Sequence, residues 1–149
     1  MDCLLKAPEI TIRYYPKKKL GPRVKNPSQV IECLKQYYNM DLIGLQEQFL
    51  VLYLNRNSSC IGVYKHSIGG INGTVVDLRI ILGTGLKAGC NSIILSHNHP
   101  SGNLSPSSHD IQITKKIYEA ARIMDISLAD HLILDKDFNY YSFADNNLI

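Results

Sequence analysis

The chain has 149 residues, 45% of them hydrophobic and 19% charged, with a net charge of +3 from 16 basic and 13 acidic side chains. That length supports one domain able to bury about 70% of its unfolded surface, and the balance excludes a disordered or low-complexity chain. A charge this small demands no polyanionic partner, no apolar run reaches transmembrane length, and Met1-Asp2-Cys3-Leu4-Leu5-Lys6 has the wrong charge order for a signal peptide, so a cytoplasmic protein is expected.

Residues 1–26 are expected to form an N-terminal strand and a basic linker, and residues 27–149 a single globular domain. Ile10-Thr11-Ile12-Arg13-Tyr14 alternates apolar and polar side chains, the pattern of an edge strand. Pro16 to Lys25, including Lys17, Lys18 and Lys19, is rich in breakers and reads as a solvated loop, with nucleic-acid contact the minority reading. Asn26-Pro27-Ser28-Gln29 then announces a helix, Asn at the N-cap and Pro at N1, whose apolar face is Val30, Ile31, Leu34, Tyr37 and Tyr38. Glu47 to Asn55 predicts a strand buried on both faces, and Asn55 to Ser59 turns the chain into a partner strand, Cys60 to Tyr64. Gly69 to Gly73 predicts a flexible loop whose glycine spacing fits no nucleotide motif. Val76 to Lys87 predicts a helix stopped by Gly89, with Gly83 and Gly85 read as permitting close helix-sheet approach. Cys3, Cys33, Cys60 and Cys90 are widely spaced and form no C-x-x-C pair, which indicates reduced thiols rather than a zinc knuckle or a disulfide framework.

The chemistry concentrates in Ser96-His97-Asn98-His99-Pro100-Ser101-Gly102. Ser92 to Ser96 predicts a buried strand ending at the first histidine, and on extended backbone His97 and His99 aim at one face while Asn98 points away. Pro100 biases His99 toward an extended conformation and stops the strand. A helix is expected from Ser107 to Met124, with Ile111, Ile117, Ala121 and Met124 inward, so Asp110 falls in its first turn facing the histidines. Two His and one carboxylate, with a position left for water, are the ligand set of a catalytic zinc site. Ser107-x-x-Asp110 also fits a helix capping box, which needs no metal. Leu132-Ile133-Leu134 and Tyr140 to Phe143 are expected to close the sheet. Hydrolysis at zinc needs a carboxylate base, for which the pattern alone leaves Glu32, Asp41, Glu47, Asp77 and Asp130 open.

His97-x-His99, seven intervening residues and Ser107-x-x-Asp110 resemble the JAMM motif of the MPN+ metalloenzymes. His-Asn-His-Pro-Ser-Gly, Asp130-His131-Leu132-Ile133 and Tyr141-Ser142-Phe143-Ala144-Asp145 are similar to the bacterial RadC branch of that family, and the resemblance covers residues 27–149. It implies an α/β fold, a mixed sheet flanked by helices in the α-β-α architecture shared with cytidine deaminases. It further implies one zinc per chain on His97, His99 and Asp110, and a JAMM-type metallopeptidase in which Glu47 activates a zinc-bound water against an amide or isopeptide bond. Ser107, by the same likeness, supports the oxyanion. A peptide or isopeptide-linked protein is then the expected substrate. The rival expectation is a DNA-repair accessory protein without peptidase activity; full-length members carry a helix-hairpin-helix segment in front of the domain that these 149 residues do not contain. A zinc deaminase is disfavoured, because those enzymes use His-x-Glu and a Pro-Cys-x-x-Cys pair. His131 is expected as a hydrogen-bonded core residue and His109 as a solvent-facing one.

Overall fold

Every residue of β1 (Gln48–Leu54) is buried, and the period of two along a strand sends its alternate side chains into two different cores. The computed structural model describes residues 7–11, 13, 19–70 and 73–149. β1 is flanked by β2 (Cys60–Ile68) and β3 (Ser92–Asn98), both antiparallel to it, and β3 pairs in parallel with β4 (Ser127–Leu134). β5 (Tyr140–Ser142) runs antiparallel to β4 and completes the order β2-β1-β3-β4-β5. Leu50, Leu52 and Leu54 share a core with Val30, Ile31 and Leu34 of α1 (Pro27–Leu34). Phe49, Val51 and Tyr53 share the other with Ile81 and Leu82 of α2 (Leu78–Ala88) and Ile117 and Ala121 of α3 (Ser108–Ile123). Helices therefore cover both faces of a mixed sheet, the α-β-α architecture expected.

The parallel β3–β4 pair obliges the chain to cross over between them, and α3 is that crossover. In such a unit the carboxyl end of the first strand and the amino end of the helix meet at one edge, where open α/β sheets place their ligands. β3 ends in the histidine segment and α3 begins beside Ser107.

The capping of α1 is as expected, with the Asn26 side chain accepting from the Gln29 N–H at 3.0 Å. Its helical run is shorter than the apolar period suggested, because Tyr37 lies in a 3-10 turn, Lys35–Tyr37, and Tyr38 is extended, its hydroxyl 2.8 Å from Ser96 Oγ. Of the two glycines in α2, only Gly85 makes a close approach: a Cβ there would meet Cys90 Sγ at 2.9 Å and the Tyr53 ring at 3.2 Å, whereas Gly83 faces open space. The roughly 1 kcal/mol that a helical glycine costs relative to alanine is thus smaller at residue 85 than the clash it avoids.

Several expectations are corrected. Ile10, Thr11 and Arg13 are not in a strand, and the rest of that segment, Ile12 and Tyr14, lies outside the described residues, as do Cys3, Pro16, Lys17 and Lys18. The linker is not wholly solvated, since Val24 is buried in the α1 core and its N–H donates to Ser58 O at 2.9 Å. β2 runs on to Ile68, β3 runs through His97 to Asn98, and β4 begins at Ser127, so Asp130 and His131 sit within a strand. The inward face of α3 is Asp110, Thr114, Ile117 and Ala121, while Ile111 and Met124 are 42% and 48% exposed. Ile117 and Ala121 are inward as expected, and the other two inward places are taken by polar side chains, Asp110 and Thr114, which are held by hydrogen bonds at the start of the helix. Among the described residues, no helix is long and apolar enough to cross a membrane.

Candidate metal centre

Along β3, Ile93, Leu95 and His97 point to the α3 face and Ile94, Ser96 and Asn98 to the α1 face, so strand parity alone delivers His97 to the helix that carries Asp110. His97 is 1% exposed and Asp110 6%. The Nε2 atoms of His97 and His99 lie 3.0 Å apart, His97 Nε2 lies 3.2 Å from Asp110 Oδ1, and His99 Nε2 lies 3.4 Å from Asp110 Oδ2. Donors bonded to one ion at the lengths usual for zinc, in tetrahedral arrangement, are separated by about 3.3 Å. The three side chains therefore fit an ion, and together they could hold one.

The rest of each imidazole is committed elsewhere. His97 Nδ1 is 2.8 Å from His131 Nε2, and the Nδ1 of His99 is hydrogen-bonded to Asn103 O. Phe49 stacks on His97 at 5.9 Å with an interplanar angle of 7°, and Phe143 stacks on His131 at 4.8 Å. Both rings are fixed by packing as well as by hydrogen bonds.

The capping reading of Asp110 holds, and it leaves the carboxylate placed to serve a metal as well. Oδ2 accepts from the Ser107 N–H at 2.7 Å and from the Ser107 hydroxyl at 2.6 Å, and Ser107 Oγ accepts from the Asp110 N–H at 3.1 Å. Oδ1 is left to face His97. Burial would raise the Asp110 carboxyl, but the contacts of His97 and His99 outweigh it and hold the group far below the ordinary carboxylate range. The same contact with Asp110 raises His99 above its ordinary value, against the effect of burial. Burial lowers His131 well below the usual imidazole value, which keeps it neutral.

Glu47 immediately precedes β1. The antiparallel register that sets Phe49 opposite His97 carries Glu47, two residues before Phe49, and His99, two residues after His97, toward the same face. It is half-buried and lines a cleft of about 470 Å³ with His99, Ser107, His109 and Asp110. Burial pushes Glu47 above the ordinary carboxylate value, and the Asp110 charge adds to this against the pull of His97 and His99. His109 is exposed at the cleft and His131 is fully buried, as expected. Glu32 and Asp41 are exposed, Asp77 caps α2 through the Arg79 N–H, and Asp130 accepts from Ser142 Oγ and the His131 and Ala144 N–H groups. None of these four competing carboxylates lines the cleft.

Sequence reasoning missed Asn98. Pointing away from the histidines does not expose it: its Oδ1 accepts from the Gln48 N–H at 2.7 Å, and its Nδ2 donates to Ile43 O and Gln46 O at 2.7 and 3.0 Å. Asn98 therefore ties the strand bearing His97 to the segment bearing Glu47. The one available signal was a primary amide at a position that parity places in the opposite core.

The sequence profile of the RadC-like JAB domain matches residues 24–148. Among similar proteins, a UPF0758 protein of Flavobacterium johnsoniae is 48% identical over 102 residues, covering 68% of this chain and 44% of that relative. A UPF0758 protein of Porphyromonas gingivalis is 41% identical over 104 residues, 70% of this chain and 46% of the relative, and one of Methanosarcina mazei is 31% identical over 148 residues, 97% and 64%. The chain spans about half the length of the curated relatives it matches. With the helix-covered mixed sheet, the His97–His99–Asp110 cluster and a profile match over nearly the whole length, the chain belongs to the RadC-like JAB domain family.

Proposed function

We propose that the chain is a zinc-dependent hydrolase of amide or isopeptide bonds, with His97, His99 and Asp110 as ligands and Glu47 as the base. The observation that carries this reading is the pairing of three converging donors at 3.0–3.4 Å with a half-buried carboxylate on the cleft beside them. A closed structural site would carry four protein ligands, usually rich in Cys, and here three donors converge with no cysteine among them. When bound, zinc lowers the pKa of a coordinated water to about 7 and polarises the scissile carbonyl.

The protein's own groups supply the proton traffic. Glu47, raised toward neutrality by burial, accepts a proton from the attacking water and returns it to the leaving nitrogen, so one carboxylate serves as base and then acid. Its position off the ligand set matters, since a carboxylate bound to the ion has its lone pairs engaged. Ser107 supports the oxyanion by turning its hydroxyl from Asp110 Oδ2 toward the cleft, while its N–H keeps the cap. An extended peptide or an isopeptide-linked protein is the substrate class that suits an open cleft of this size.

A panel of peptides and isopeptide-linked substrates, assayed with zinc-loaded protein and with chelator-treated protein, tests the reading. Cleavage that chelation abolishes and zinc restores is the expected result; cleavage indifferent to chelation would contradict it. Asp110→Asn separates the two duties of that residue. An amide still caps a helix, and losing the charge there costs about 0.3–1 kcal/mol, a fall of no more than about 4 °C in Tm, whereas zinc affinity should drop more than tenfold. Zinc affinity unchanged with a large fall in Tm would reduce Asp110 to a cap.

A further inference from the structure

Behind His97, on its Nδ1 side, a buried imidazole and a buried hydroxyl continue the site into the core. His131 is 0% exposed and Thr114 1%. His131 Nε2 lies 2.8 Å from His97 Nδ1, His131 Nδ1 lies 2.6 Å from Thr114 Oγ1, and Thr114 Oγ1 donates to the backbone carbonyl of Asp110. We propose that Thr114 is a positioning residue for the metal centre, fixing through His131 which nitrogen of His97 stays free for the ion. The proposal rests on the reading of His97, His99 and Asp110 as ligands.

The direction of every hydrogen bond in this chain follows from its last link. A carbonyl oxygen has no hydrogen to give, so the single hydroxyl hydrogen of Thr114 is committed to Asp110. Thr114 Oγ1 must then accept from His131, which places the His131 proton on Nδ1. A neutral imidazole protonated there has a bare Nε2, and that atom accepts from His97 Nδ1–H. His97 is left with its Nε2 lone pair directed at His99 Nε2 and Asp110 Oδ1. The opposite direction would set an oxygen without a hydrogen against the Asp110 carbonyl and would put a proton on the metal-facing nitrogen.

The relay also closes on itself. It starts at one ligand, His97, crosses from β3 to β4, passes to α3 and ends on the main chain of another ligand, Asp110. Thr114 is one helical turn from Asp110, so the turn that presents the carboxylate also holds the hydroxyl that sets the tautomer. This accounts for a polar side chain, Thr114, lying on the buried face of α3 beside Ile117 and Ala121.

Two variants separate hydroxyl from packing. Thr114→Val keeps the shape and removes the hydroxyl; Thr114→Ser keeps the hydroxyl and removes a methyl. Zinc affinity, read on the full chain by competition with a chromophoric chelator, should fall 10- to 100-fold in Thr114→Val and stay within about threefold of wild type in Thr114→Ser, as for partners that orient metal ligands. Equal affinity in Thr114→Val and wild type, or equal losses in both variants, overturns the relay. A second readout needs no variant: nitrogen-15 spectra of the zinc-loaded wild type should place the ring protons of both His97 and His131 on Nδ1, and a proton on His131 Nε2 overturns it. Wild type that binds no zinc would remove the ligand reading itself, whereas zinc-binding wild type with an unaffected Thr114→Val would remove the relay alone.

Discussion

Glu47→Gln is expected to retain one zinc per chain and near-wild-type stability while lowering hydrolysis about 10²- to 10⁴-fold, the contribution of a positioned acid-base group. Gln keeps the size and shape of Glu, and nothing in the packing of the cleft edge requires a charge at residue 47. What changes is the ability to accept a proton. Because burial holds the native carboxyl above its ordinary value, it is poised closer to neutral pH than a surface glutamate and gives a proton back more readily. Loss of zinc in the variant would make Glu47 a ligand, and undiminished hydrolysis would remove it from the mechanism.

His97→Ala and His99→Ala are each expected to abolish stoichiometric zinc binding, measured by elemental analysis after dialysis, and with it zinc-dependent hydrolysis. The two differ in what else they disturb. His97 is 1% exposed, stacked on Phe49 and bonded to His131, so its removal leaves a cavity and an unpaired nitrogen. A loss of about 2–5 kcal/mol is expected there from the cavity and the orphaned group together. The side chain of His99 is 15% exposed at the cleft, and its truncation should cost much less stability. His99→Ala is therefore the cleaner probe: a folded protein without zinc. Full zinc occupancy in both variants would eliminate the site.

The elements that were legible before the fold was known are those where physical chemistry and hydrophobic pattern agree. The Asn26-Pro27 cap of α1, the doubly buried β1 and the apolar entry to β3 all read directly, and the spacing of His97, His99 and Asp110 on a strand, turn and helix start required no tertiary information. The misreadings cluster where function puts polar side chains into buried positions. Asp110 and Thr114 share the inward face of α3 with Ile117 and Ala121, places that an apolar pattern assigns instead to Ile111 and Met124. Asp130 and His131 interrupt the apolar run of β4, which hid the first part of that strand. Asn98 was given no work because an amide between two histidines looks like a surface residue until the opposite core is seen to contain the loop it holds. Local pattern and global fold conflict most where a site has to be built.

The proposed chemistry depends on one ion held by His97, His99 and Asp110 with Glu47 facing its open side. Anomalous diffraction at the zinc edge from crystals of zinc-loaded protein tests it most directly. A single peak per chain is expected about 2.0–2.2 Å from Nε2 of both histidines and from an Asp110 oxygen, with the Glu47 carboxylate on the unliganded side at more than bonding distance. A peak bound elsewhere, or a Glu47 side chain turned out into solvent away from the ion, would contradict it.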